Sequence, residues 1–186
     1  WSSDVALPIL RPGLAMLCGT FGFAAVASLL VLLVEGQGLG VATIPLTAFP
    51  IAVILTRVIG GRIPDRFGAE PTAIGAACIE AVGLSIIALA GSLALTTLGA
   101  IVLGVGFALL FPSLALQVVD SAGEGQRAAA LGAFTVFFDL GVGLGGPAVG
   151  AFAAVTSNDS AFWLAALFAL LSAALTFTRL ARRRRA

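Results

Sequence analysis

The chain has 186 residues, of which 60% are hydrophobic and 10% are charged, and its mean hydropathy is +1.12. This composition lies far outside that of soluble domains and predicts a membrane protein. The net charge of +1 gives no sign of a nucleic-acid partner, because every basic residue is an arginine outside or at the end of an apolar segment. The sequence has no histidine, which excludes Ser-His catalysis and the usual zinc sites. We therefore expect neither an enzyme nor a cofactor.

Apolar segments recur along the whole chain. One crossing of a bilayer needs about 20 apolar residues, and the chain has room for six. The predicted spans are 14–34, 41–59, 71–90, 98–118, 128–155 and 162–180. They predict an all-α membrane protein with a single six-helix domain over residues 1–186. Because the first residue is Trp1 and not Met, we expect a fragment of a longer protein.

The arginines predict the orientation in the membrane. If the spans alternate in direction, one set of ends carries Arg11, Arg57, Arg62, Arg66, Arg127, Arg179 and the terminal arginine cluster. The other set carries only Glu35 and Asp159. Cytoplasmic loops are the ones rich in Arg and Lys. We expect both termini in the cytoplasm and the protein in a bacterial inner membrane.

A charged stretch with several glycines separates the second and third spans. Residues 57–68 read Arg-Val-Ile-Gly-Gly-Arg-Ile-Pro-Asp-Arg-Phe-Gly. Three arginines and an aspartate this close together would be very costly in hydrocarbon, so the stretch must lie at a membrane surface. The pattern Gly61-x-x-x-Asp65-Arg66-x-Gly68 resembles the loop signature that follows the second helix of each half in major facilitator superfamily transporters.

The resemblance extends over nearly the whole chain. Besides residues 57–68 it rests on Leu46-Thr-Ala-Phe, Glu80-Ala-Val-Gly83, the run 104–112, Ala130-Leu-Gly-Ala-Phe, Phe138-Asp-Leu-Gly and Gly146-Pro-Ala-Val-Gly150. The chain looks like the C-terminal half, helices seven to twelve, of such a transporter, closest to the arabinose-efflux or sugar/drug exporters. An N-terminal half is the alternative. Against it, the fourth span lacks the Arg of the corresponding helix and the chain ends in a basic tail.

The resemblance implies half of a secondary transporter that exports a small molecule against proton entry by alternating access. Its expected partners are the missing N-terminal six-helix half, the lipid bilayer, the small-molecule substrate and protons. The alternative function is a stand-alone six-helix protein that acts as a homodimeric carrier or as a scaffold.

The family loop implies a conformational role for Arg57, Gly61, Asp65, Arg66 and Gly68. In the family pattern Asp65 accepts hydrogen bonds from a helix N-terminus of the opposite half, a contact that would hold one conformation. The family loop usually continues with basic residues, whereas Ala69-Glu70 follow here, which weakens the electrostatic part of the motif.

Asp139 is the main candidate for proton coupling. It lies about 17 Å into the fifth span at about 1.5 Å per residue, near the middle of the bilayer. A carboxylate there must be paired, hydrated by a cavity or protonated, and the last two states are those of a proton-coupled carrier. The alternative is an acid that is permanently hydrogen-bonded to a neighbouring helix.

Glu80, in the third span, is the second coupling candidate, although a structural role fits its helix better, because the resembled fold places that helix outside the cavity. We also consider a contact between Glu80 and Arg57, with lipid phosphate or loop carbonyls as the alternative partners of Arg57.

Two further groups of residues are candidates on the basis of residue type. The substrate-cavity candidates are Thr20, Phe107, Phe111 and Phe134, for which ordinary helix packing is the alternative. The hinge or packing candidates are Pro112, Gly146, Pro147 and Gly150. Small residues at every fourth position, as in Gly141/Gly145 and Gly146/Gly150, allow close packing of helices in lipid.

Overall fold

The computed structural model describes residues 3–123 and 125–183. This part of the chain forms seven helices: α1 (Ser3–Gly36), α2 (Thr43–Gly60), α3 (Ile63–Phe67), α4 (Ala69–Ala88), α5 (Leu93–Ser121), α6 (Arg127–Val155) and α7 (Asn158–Arg183). All except the five-residue α3 are long and apolar enough to cross a membrane. The predicted all-α fold with six membrane-spanning helices is confirmed.

Several helices begin earlier than the hydropathy pattern predicts. The apolar part of α1 starts at Ile9, and the helix continues through Pro12, which is buried. Membrane helices tolerate proline because neighbouring groups compensate for the lost hydrogen bond. Helix α5 starts at Leu93, within the predicted link 91–97, because Ser92 caps it: the Leu95 N–H donates to Ser92 Oγ at 3.3 Å. The Ser160 N–H donates to Ser157 Oγ at the start of α7 in the same way.

Glycines bring α4 and α5 into direct backbone contact. A Cβ atom on Gly83 would lie 2.8 Å from the Gly99 carbonyl oxygen, and one on Gly99 would lie 2.8 Å from the Gly83 carbonyl oxygen. Two turns further along the interface, a Cβ on Gly106 would lie 2.6 Å from the Ala76 carbonyl oxygen. Small residues allow such close approach of helices in lipid, and at these positions only glycine fits without a shift of the backbone.

Helix α6 packs on α1 through two of its glycines. A Cβ on Gly141 would overlap Thr20 Oγ1, and one on Gly145 would lie 2.7 Å from Ala24 Cβ. By contrast, a Cβ on Gly146 or on Gly150 would meet nothing within 4 Å. These two glycines are therefore not in close contact with α1, and their hinge or packing role stays a prediction.

Helices α2 and α6 are the least covered. In the most apolar windows of the spans, 28% of the residues of α2 and 22% of those of α6 are buried, against 67% for α1. Helix α7 instead packs on α1 and α4 with buried alanines at Ala165, Ala169 and Ala173. The bundle therefore has a well-packed interior and two open helices, α2 and α6, that both contact α5.

Candidate functional site

A cavity of about 550 Å³ lies between α2, α5 and α6. It has the size of a small-molecule site, which is typically 300–1,000 Å³. The residues that line it are Arg57, Gly61, Phe107, Ala108, Phe111, Pro112, Thr135, Phe138 and Asp139. Most of this surface is apolar, and the lining holds one basic and one acidic residue.

Helix α5 supplies an aromatic surface to the cavity. Phe107 is nearly buried, and its ring centroid lies 5.4 Å from that of Phe23 and 5.8 Å from that of Phe49. The Phe111 ring lies 5.5 Å from the Phe134 ring and 5.6 Å from the Phe138 ring. Such ring contacts hold the side chains in fixed orientations. Phe107, Phe111 and Pro112 are thus brought together at the cavity.

Asp139 is exposed on the cavity side of α6. It lies 12 residues after Arg127, which begins the helix, so it is about 18 Å along the helix axis. Charge at this depth is costly in lipid and requires water, a partner or a proton. Asp139 is thus exposed on the cavity, and the hydration of its carboxyl group stays a prediction.

Arg57, in the last turn of α2, is exposed and lines the cavity opposite α6. The considered contact with Glu80 is wrong: both carboxyl oxygens of Glu80 are buried with no hydrogen-bond partner among the residues that the structure describes. The two side chains lie on different sides of α5, since Arg57 faces the cavity and Glu80 packs against Gly106.

Glu80 lies outside the cavity, in the interior of the bundle. Its side chain is 0% exposed. A Cβ on Gly106 of α5 would lie 2.7 Å from Glu80 Cγ, and one on Gly19 of α1 would lie 3.6 Å from Glu80 Oε2. The absence of a side chain at Gly106 makes room for Glu80 between the helices, whereas a Cβ at Gly19 would be in ordinary van der Waals contact with its carboxyl group. This placement separates Glu80 from Asp139, the other coupling candidate.

Two of the four cavity candidates do not reach the cavity. Thr20 is 0% exposed, and its hydroxyl group donates to the Leu17 carbonyl at 2.7 Å while it faces Gly141. Phe134 is also 0% exposed and lies behind Phe111. The prediction that these two residues line the cavity was wrong, because the side chains of Thr20 on α1 and Phe134 on α6 both point into the interior of the bundle.

The charged stretch after α2 folds as a compact cap on α4 and α5. Its short helix α3 buries Pro64, while Asp65 and Arg66 remain exposed. The chain then turns at Gly68, whose φ of +92° favours glycine. A Cβ on Gly61 would lie 2.6 Å from the Arg57 carbonyl oxygen. Backbone geometry therefore explains why glycine occupies positions 61 and 68. Asp65 and Arg66 are exposed and can contact another surface.

Three lining residues were not among the candidates: Ala108, Thr135 and Phe138. Phe138 is adjacent to Asp139 in the helix, and adjacent helical residues do not share a face, so their spacing gave no signal for Phe138. Thr135 precedes Asp139 by four residues and shares its helix face, which was a signal in the sequence. Ala108 has the same relation to Pro112, four residues later.

The sequence-family model of the Major Facilitator Superfamily matches residues 13–186 of this chain. The chain belongs to the major facilitator superfamily. This is a family of membrane transporters, which confirms the prediction that the chain is not an enzyme.

Curated relatives carry the same family description. An uncharacterized MFS-type transporter of Salmonella typhimurium is 33% identical over 165 residues, which is 89% of this chain and 42% of the relative. The uncharacterized MFS-type transporter YhhS of Escherichia coli is 30% identical over 138 residues, 74% of this chain and 34% of the relative. The chain thus spans less than half the length of these relatives.

Two solved transporter structures have the same fold. The peptide transporter POT in complex with sulfate superposes with a TM-score of 0.82 at 21% identity, over 92% of this chain and 37% of that one. The human organic anion transporter MFSD10 gives a TM-score of 0.81 at 18% identity, over 95% of this chain and 42% of that one. At such low identity these two similarities show the fold, which is that of half a major facilitator transporter.

Proposed function

We propose that this chain is the C-terminal half of a proton-coupled transporter that exports a small molecule by alternating access. The observation that carries the proposal is Asp139, an ionisable group in the middle of a membrane helix that faces an open cavity. Carriers of this kind bind their substrate near the middle of the membrane, between two structural repeats. Within the superfamily we assign the chain to the sugar/drug exporters, on the sequence resemblance given above.

A second six-helix half covers the cavity in this proposal. Helices α2 and α6 leave most of their surface open on either side of α5, and the relatives are more than twice as long as the matched region. A large uncovered face that includes a charged residue is unfavourable against lipid. A second copy of this chain is the alternative occupant.

Asp65 adds a second contact with the other half. It is exposed on α3, four residues after the cavity-lining Gly61. A carboxylate is stabilised at a helix N-terminus by the helix dipole and by the free N–H groups there. We propose that Asp65 binds such a terminus in the N-terminal half and stabilises one of the two transport conformations.

The orientation can be tested with single cysteines. The Gln37 amide donates to Asp159 at 2.8 Å, so the end of α1 and the start of α7 lie at the same surface of the bundle. In a background without Cys18 and Cys78, cysteines at Gly36 and Asn158 should react with an impermeant thiol reagent added to intact cells. One at Gly123, in the loop before Arg127, should react only after lysis.

Labelling at Gly123 in intact cells would overturn a cytoplasmic placement of the arginine-rich ends. Position 124, in the same loop, lies outside the described residues, so Gly123 is the better probe.

Export is tested by tolerance to toxic compounds. The full-length protein should be expressed in a bacterial host that lacks its major efflux pumps and challenged with a panel of cationic, anionic, zwitterionic and neutral compounds. We expect increased tolerance to at least one compound and faster efflux of that compound, both lost when a protonophore collapses the proton gradient. Efflux that persists without the gradient would contradict proton coupling.

A further inference from the structure

The two charges of the cavity lie on different walls. Arg57 belongs to α2 and Asp139 to α6, and the lining residues of α5 lie between them. Among the residues that the structure describes, Arg57 and Asp139 form no ion pair with each other. Each charge is therefore available to a ligand in the cavity.

The polar groups of the lining have distinct capacities. A guanidinium group such as that of Arg57 is cationic and can bind a carboxylate through two parallel hydrogen bonds. Ionised Asp139 only accepts hydrogen bonds, as an ammonium group requires. The Thr135 hydroxyl group donates to the Leu131 carbonyl at 3.0 Å, so it offers only its lone pairs to a ligand. The lining therefore presents one site for an anion and one for a cation.

A ligand with a single charge would match only half of this arrangement. A cation at Asp139 would leave Arg57 without a counter-charge beside a largely apolar surface, and an anion at Arg57 would leave Asp139 unmatched. Leaving a charge unpaired in a partly desolvated site is costly. A zwitterion satisfies both charges at once, and its apolar body can lie against Phe107, Phe111 and Phe138.

We infer that the substrate is a small zwitterion with an aromatic or aliphatic body, whose acidic group binds Arg57 and whose amino group binds Asp139. The inference rests on the proposed function and names the substrate class of its cavity. It also explains the exchange with protons, because a proton and the substrate ammonium group compete for the Asp139 carboxylate and cannot occupy it together.

A thiol-protection experiment tests the substrate class without measuring transport. In full-length protein, Thr135→Cys places a reporter of similar size in the lining, in a background without Cys18 and Cys78. Three compounds share one phenylethyl body: phenylalanine is zwitterionic, 2-phenylethylamine is cationic and 3-phenylpropanoate is anionic. Phenylalanine should slow the labelling of the reporter at a concentration about tenfold lower than either analogue, the factor for one charged hydrogen bond.

Three variants refine the readout. With Arg57→Gln, phenylalanine should protect no better than 2-phenylethylamine, and with Asp139→Asn no better than 3-phenylpropanoate. Arg57→Lys, which keeps the charge, should keep part of the preference. Gly143→Cys, on the same helix outside the lining, is the control reporter and should be labelled at one rate with all three compounds.

Equal protection by a single-charge analogue, or labelling that none of the three compounds slows, would contradict the inference. Zwitterion-selective protection without proton-driven transport would keep the binding site and reject the proposed function. Proton-driven transport that shows no preference for the zwitterion would keep the proposed function and reject the zwitterion site.

Discussion

Asp139→Asn in the full-length transporter should abolish pH-dependent transport and leave the amount of protein in the membrane unchanged. The amide keeps the volume and polarity of the side chain but cannot exchange a proton. Because the side chain is exposed on the cavity and not packed in the bundle, the substitution should have little effect on folding. The measurement is the initial rate of uptake into inverted vesicles with and without an imposed pH gradient, for the compound identified by the tolerance screen.

Two matched variants separate coupling from other effects. Asp159→Asn makes the same chemical change outside the cavity, where Asp159 accepts a hydrogen bond from Gln37, and should leave coupling unchanged. Asp139→Glu keeps an ionisable group and should keep some pH dependence. Loss of the Asp139→Asn protein from the membrane would indicate a structural role for this acid, and normal coupling in that variant would reject both roles.

Gly83→Ala should strongly destabilise the bundle. The new methyl group would lie 2.8 Å from both the Gly99 carbonyl oxygen and Leu103 Cα, and these are backbone atoms that move only if the helix moves. Overpacking of this kind costs about 1–3 kcal/mol. We expect a lower midpoint of thermal unfolding in detergent and less protein in the membrane.

Gly75→Ala is the control for this substitution. Gly75 is on the same helix, and a Cβ there would meet nothing within 4 Å. Alanine is favoured over glycine within a helix by about 1 kcal/mol, so this variant should be as stable as the original protein or more stable. Equal unfolding midpoints for the two variants would contradict the close α4–α5 contact.

Hydropathy alone could predict the six spans, because lipid requires long apolar helices whatever their packing. Asp139 was also predictable, since an acid in the middle of a span needs water or a partner. The residues at which the helices begin were harder to predict. Ser92 and Ser157 extend α5 and α7 beyond the apolar segments through hydrogen bonds that hydropathy does not measure.

The residues that line the cavity could be predicted only in part. Thr20 and Phe134 lie on helices near the cavity, but the rotation of each helix directs both side chains into the interior. Likewise, Gly141/Gly145 and Gly146/Gly150 have the same spacing, yet only the first pair faces α1. Spacing identifies a face of a helix, whereas the neighbouring helices decide which face is covered.

The central claim, that this chain is half of a carrier, is tested most directly by reconstituting it alone and together with the remaining half expressed as a separate chain. The measurement is uptake, driven by an imposed pH gradient, of the compound to which the full-length protein confers tolerance. We expect none with the chain alone, because α2 and α6 then have no second wall, and partial recovery with both halves, because their interface needs contact and not a peptide bond. Proton-driven transport by this chain alone would contradict the claim and favour a homodimeric carrier.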